Sequence, residues 1–137
     1  MNNFDGSDVN VFRIIIPVNN IEQATVFYSD VFESSGERVS EGRHYFNLGT
    51  LIIAIYDPIA DGDSVERKWV LHKNHYVYFS AESLENVHEK LLKSICRHVD
   101  QKINTMPWGE RLFYAIDPFG NPICFVDETT VFTGNSH

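Results

Sequence analysis

Positive charge is scarce in this chain. Eleven Lys and Arg face 19 Asp and Glu, a formal net charge of −8 over 137 residues, and no basic run occurs. Such a balance repels nucleic acid and anionic membrane and favours neutral or cationic partners. Cysteine is scarcer still, with only Cys96 and Cys124. They form no CxxC pair and no disulfide framework, so the expected compartment is a reducing cytoplasm. No apolar run approaches the ~20 residues needed to cross a bilayer. The polar, acidic start MNNFDGSDVN does not read as a secretory leader. Hydrophobic residues at 43% and charged residues at 22% leave a soluble globular chain, of a length that suits one domain with a real core.

What is present is periodic. Residues 1–10 are a polar lead-in. VFRIIIPV (11–18) then reads as a buried strand. Asn20, with Gln23 three residues later, predicts a capped helix carrying Ile21, Ala24, Tyr28 and Val31 on one face. Gly36 breaks it. ERVSE, RHYFNLG and TLIIAIYDP read as three short strands. A polar stretch over 59–74, with Trp69, Val70 and Leu71 in its second half, reads as a linker or lid. The pattern then recurs. YVYFSA is a strand, Ser83 a helix cap, and Leu84, Val87, Leu91 and Ile95 a helix face. Arg97 to Asn104 has room for an edge strand. RLFYAI and PICFVDE close the series, joined by the turn sequence DPFGN.

The recurrence is an internal repeat. A shift of 63 residues lays Ile14, Ile16, Val18 and Ile21 on Val77, Phe79, Ala81 and Leu84. The expected organisation is a single α+β domain of two βαβββ modules, about 11–58 and 75–128, forming a concave mixed sheet. Strand alternation sorts the side chains. Ile14, Ile16, Val77 and Phe79 belong under the helices. Arg13, Ile15, Tyr76, Tyr78 and Ser80 belong on the opposite, concave face. IIAI (52–55) lies over PICF (122–125), so Ala54 corresponds to Cys124.

The repeat, the phrase NNIEQATVFYSDVF and the ending PWGERLFYAIDPFGNPICFVDE together resemble the vicinal oxygen chelate superfamily. That superfamily holds glyoxalase I, extradiol dioxygenases and bleomycin-resistance proteins. The DPxGN element, Asp117 to Asn121, is the most specific piece. Pro107 to Phe113 is similar to the bleomycin-resistance branch. The resemblance implies a homodimer with ligand pockets at the subunit junction. In metal-dependent members, four equivalent places hold His or Glu. Here they hold Arg13, Ala54, Tyr76 and Cys124. Arg and Ala are not ligands, and Tyr and Cys supply at most one each, which is a poor divalent site.

The expected function is therefore metal-free binding of a small aromatic, cationic compound, antibiotic-like, for sequestration or sensing, without cofactor. The candidate ligand-binding residues are Arg13, Ala54, Tyr56, Tyr76, Tyr78, Trp108 and Cys124. Trp108, between Pro107 and Gly109, is placed to stack at a pocket mouth. Cys124 reads as a small hydrophobe filling a lost ligand position. Arg13 either pairs with an internal acid such as Glu110 or Asp117, or binds an anionic group. The alternative function is a metal-dependent lyase, isomerase or dioxygenase using a divalent metal on His75, which requires a one-residue slip of its strand. His72 forms an HxxH pair with His75, but in a loop. His44, His88 and His98 show no mutual spacing.

Overall fold

Asn20 begins the first helix as its position requires. In the computed structural model, which describes residues 8–63 and 70–132, its side-chain oxygen accepts from the Gln23 amide at 3.0 Å. The helix, α1, runs Ile21–Phe32 and buries Ile21, Ala24, Phe27 and Tyr28. It follows strand β1 (Arg13–Pro17) and precedes β2 (Glu37–Ser40), β3 (Arg43–Asn47) and β4 (Ile52–Tyr56). The second module repeats this order with its edge strand split in two: β5 (Val77–Ala81), α2 (Leu84–Leu92), β6 (His98–Val99), β7 (Asn104–Thr105), β8 (Arg111–Ile116) and β9 (Pro122–Asp127). The segment from Arg97 to Asn104, extended by Thr105, supplies both short edge pieces, β6 and β7, each antiparallel to β8. Residues 1–7 and 64–69, with Trp69 among them, lie outside the described residues.

One expected boundary moves. The second helix ends at Leu92, so Ile95 falls beyond it and is exposed rather than part of the buried helix face. Lys93 caps the helix with no glycine at hand, and Ser94 folds back onto the Leu91 carbonyl.

Each module makes its own sheet, ordered β1-β4-β3-β2 in the first and β5-β9-β8-β6 in the second. No ladder joins the two sheets among the described residues. In both, the last strand of the module is interior and pairs parallel with the first, because the intervening helix supplies the crossover. The registers match. Ile15 sits beside Ala54, and Tyr78 beside Cys124. The repeat offset and the equivalence of Ala54 with Cys124 are thus features of the fold.

The helix-side faces of both sheets share one core. Ile16, Phe46, Ile53 and Ile55 of the first module join Val77, Phe79, Phe113, Ile123 and Phe125 of the second. An aromatic series crosses the junction, with ring centroids 5.2 Å apart for Phe46–Phe32, 5.4 Å for Phe32–Phe79 and 5.2 Å for Phe79–Phe125. Full burial of each such side chain contributes about 1.5–3 kcal/mol. The core holds the modules together without shared strands.

A buried polar hub adds direction to that packing. The DPFGN turn places Asp117 in the interior, where its carboxylate accepts from the Phe119 and Asn121 amides, both at 2.8 Å. It also accepts from the Asn121 side chain at 3.0 Å and from the Tyr28 hydroxyl at 2.6 Å. Asn121 reaches on to the Pro17 carbonyl at 2.7 Å and accepts from the Leu71 amide at 3.0 Å. Gly120 makes the turn possible with φ of 98°, a left-handed value that favours glycine. The turn of the second module is thereby bonded to β1 and α1 of the first.

Candidate functional site

Alternation along β5 falls as its sequence predicts. Val77 and Phe79 enter the core, while Tyr78 and Ser80 stay exposed. His75, two residues before the strand begins, is exposed, and its amide donates to the His72 carbonyl. The slipped register, which would turn His75, Val77 and Phe79 to the concave face and put Tyr78 and Ser80 under the helix, is not adopted.

The four equivalent positions separate into two pairs. Arg13 and Ala54 are on the first sheet, Cys124 is on the second, and Tyr76, one residue before β5, packs against the Cys124 cluster. Ala54 is fully buried. Cys124 is also fully buried and packs with Leu112 and Val126 beneath Tyr76, Met106 and Tyr114. Burial pushes its thiol up to about 12, with Glu110 and Asp100 adding to the shift. Burial thus favours the neutral thiol. Burial likewise pushes Cys96 up to about 11. Among the described residues no group of three or more His, Cys, Asp or Glu side chains converges to hold a metal ion. A divalent metal does not fit this donor set.

Arg13 makes neither expected internal pair. Asp117 is committed to Tyr28 and Asn121, and Glu110 accepts from the Trp108 indole at 2.8 Å and the Phe132 amide at 2.8 Å. The Arg13 guanidinium instead lies over the Phe12 ring at 4.9 Å and the Tyr45 ring at 5.2 Å. Arg13 is exposed, so water solvates the charge and no acid is required. Tyr56 is nearly buried, with Arg43 over its ring at 4.2 Å and its hydroxyl on Asp63. Trp108 is 52% exposed on the turn before β8, held by Glu110 and apart from the groove described below.

The other histidines have structural partners. His44 donates from Nε2 to the Ser35 carbonyl at 2.7 Å and accepts at Nδ1 from Arg38, which fixes its tautomer. His88 donates to the Asp100 carbonyl, and His98 contacts the Asp100 carboxylate.

The structure brings Tyr76 and Tyr78 together. Their ring centroids are 6.4 Å apart, and Tyr76 lies 4.8 Å from Tyr114. Burial and the neighbouring Tyr78 hydroxyl raise the Tyr114 phenol above its ordinary value. Tyr78 is 56% exposed. Both Tyr76 and Tyr78 line a groove of about 790 Å³ that follows β5 from His75 to Ser83. Its apolar lining includes Phe32, Ile53 and Phe79, and Glu33 and Glu82 add carboxylates. Glu33 is the sole non-glycine residue with positive φ among the described residues (53°), and it caps α1 with its amide on the Ser29 carbonyl. Strand alternation pointed to Tyr76 and Tyr78 but not to Glu33 or Glu82. The groove follows a strand edge, and alternation describes only strand faces.

Comparison with known proteins agrees with this architecture. The Glyoxalase/Bleomycin resistance protein/Dioxygenase superfamily profile matches residues 10–125. Among solved structures, a lactoylglutathione lyase from Agrobacterium tumefaciens aligns with a TM-score of 0.63 at 16% identity, covering 90% of this chain and 96% of that one. A glyoxalase/bleomycin resistance protein from Albidiferax ferrireducens T118 aligns at 0.66 and 18%, covering 85% and 96%. A superfamily member from Sphaerobacter thermophilus DSM 20745 aligns at 0.63 and 20%, covering 87% and 97%. Likeness at such identities shows the fold alone. No curated protein sequence matches the chain. With two βαβββ modules in matching register and a family profile that spans both, the chain belongs to the glyoxalase/bleomycin resistance protein/dioxygenase superfamily.

Proposed function

We propose that this protein binds a small aromatic, cationic compound without a metal, in the groove along β5, and so sequesters or senses it. The observation that carries the reading is the groove itself. At about 790 Å³ it is within the ~300–1,000 Å³ typical of ligand pockets. It offers the Tyr76 and Tyr78 rings together with the Glu82 carboxylate, while Glu33 is shared with Lys90. Aromatic faces and carboxylates both attract cations. The net charge of −8 works in the same direction. Arg13 does not oppose it, because Ile14 lines the groove and the next side chain along the strand points to the other face. The similarity of Pro107 to Phe113 to the bleomycin-resistance branch agrees with a binding role, although fold alone does not fix function.

The test is titration with phenethyltrimethylammonium, followed by calorimetry and by amide NMR shifts along β5. Tyr78→Ala should weaken binding about two- to fivefold, as expected for one exposed cation–π contact, and leave the fold intact. Equal affinity in the variant, or no shift at β5, would remove the groove as the site.

A further inference from the structure

The four sheet edges of this protein are not equally protected. Natural edges are blunted by charge, proline, bulges or shortness, because unpaired backbone groups recruit other strands. Edge strand β2 carries Glu37 and Arg38 and a register shift between Arg38 and Ser40. Edge strand β1 begins with Arg13 and ends with Pro17. The far edge of the second sheet consists of β6 and β7, two residues each. Edge strand β5, VYFSA, has five residues and carries none of these devices. Its inner edge pairs with β9, and its outer edge bonds to no described residue. It is also the strand along which the groove runs.

Resting on the reading of that groove as the ligand site, we propose that its ligand is peptide-like: an extended oligoamide that adds a strand to the outer edge of β5. Strand addition satisfies backbone donors and acceptors that otherwise bond only water. An extended ligand alternates its substituents. One set would meet the apolar lining at Phe32, Ile53 and Phe79, and the other would meet solvent and the tyrosine rings. Charge selects a cationic ligand. Glu33 is engaged by Lys90 at 3.3 Å, but Glu82, directly after β5, meets no cation among the described residues. A second copy brings the same net charge of −8 to Glu82, so at this edge a basic ligand is favoured over a second copy, whatever face a homodimer uses.

The probe is the blocked peptide acetyl-Lys-Val-Tyr-Val-Lys-amide, with its Glu-for-Lys counterpart and a form N-methylated at both valine amides. Affinity is measured by calorimetry, and amide hydrogen exchange by NMR on the full chain. The Lys peptide should bind and slow exchange at the outward amides of β5. N-methylation should weaken it about tenfold. Glu82→Lys should weaken it about three- to fivefold and reverse the preference toward the Glu peptide. Equal binding of the N-methylated form, or unchanged exchange at β5, would overturn the proposal. So would light scattering that finds a dimer with β5 amides already protected, since a second copy would then hold the edge. If phenethyltrimethylammonium binds in a Tyr78-dependent way while the peptide fails, only the strand-addition inference falls. If neither binds, the groove reading falls with it.

Discussion

Replacing Tyr28 by Phe removes one oxygen from the most connected polar site in the protein. The lost bond is a 2.6 Å hydroxyl donation to a buried carboxylate. Asp117 keeps three donors: the Asn121 side chain and the Phe119 and Asn121 amides. A hydrogen bond to a charged group contributes about 1.5–3 kcal/mol. The expected loss is therefore about 2 kcal/mol, or about 6–8 °C in Tm at this chain length. The alkaline limb supplies an independent check. Burial, followed by the Asp117 charge, raises the Tyr28 phenol well above its ordinary value. A raised folded pKa gives stability that is fully present below the unfolded value and lost as pH rises through the folded one. Above pH ~10 the unfolded chain sheds the Tyr28 proton and the folded chain keeps it, so stability falls by up to about 1.4 kcal/mol per pH unit. That share of the slope should be missing in Tyr28→Phe, while the shares of Tyr114, Cys96 and Cys124 remain. Urea melts followed by circular dichroism between pH 7 and 11 measure both quantities. A variant within ~0.5 kcal/mol of wild type at pH 7, with an unchanged alkaline slope, would refute the role given to this hub.

Gly42→Ala should destabilise by about 1–3 kcal/mol, because an added Cβ would clash with the Asp57 carbonyl oxygen; a urea midpoint equal to wild type would contradict the packing described. Cys124 should resist alkylation by iodoacetamide at pH 8 until the chain is unfolded, since burial holds its thiol near 12; mass spectrometry of the native protein checks this, and rapid native labelling would place the thiol in an open site. Arg13→Met should change stability by no more than ~1 kcal/mol, the size of an exposed cation–π contact; a larger loss in thermal melts would reveal an ion pair. Protein purified without chelator should carry no stoichiometric zinc, manganese, nickel or iron by elemental mass spectrometry, and near-stoichiometric metal would overturn the metal-free reading.

Much of the architecture was legible because local signals repeat. Asn20 and Ser83 mark equivalent helix starts, and the strands beside them alternate in the same sense. Val77 and Phe79 were assigned inward from parity alone, and they are inward. Ile95 misled because its helical spacing continues past the point where Ser94 turns the chain back. The site was less legible. Sequence equivalence relates Arg13 to Tyr76 and Ala54 to Cys124, and such a relation under a repeat is a symmetry and not a contact. Arg13 illustrates this. A charge assumed to face an enclosed cavity needs an acid, but one that faces water over two rings does not. Asp117 and Asn121 carried the family resemblance most specifically, and their side chains serve the join between modules.

The order of the strands also has a temporal side. In each module the strand that joins the first strand to the rest of the sheet is the last one made, so the ribosome delivers both edges before the piece that unites them. Tyr28 precedes its carboxylate partner by 89 residues, which at ~5–20 residues per second is a wait of about 4–18 s. Through that interval the apolar underside of the first module has no second module to cover it. A nascent chain stalled before Asp117 should therefore be cut readily by protease around α1, and one released after β9 should not. The internal duplication that makes the fold easy to recognise also leaves the apolar surface of its first half uncovered until the second half arrives.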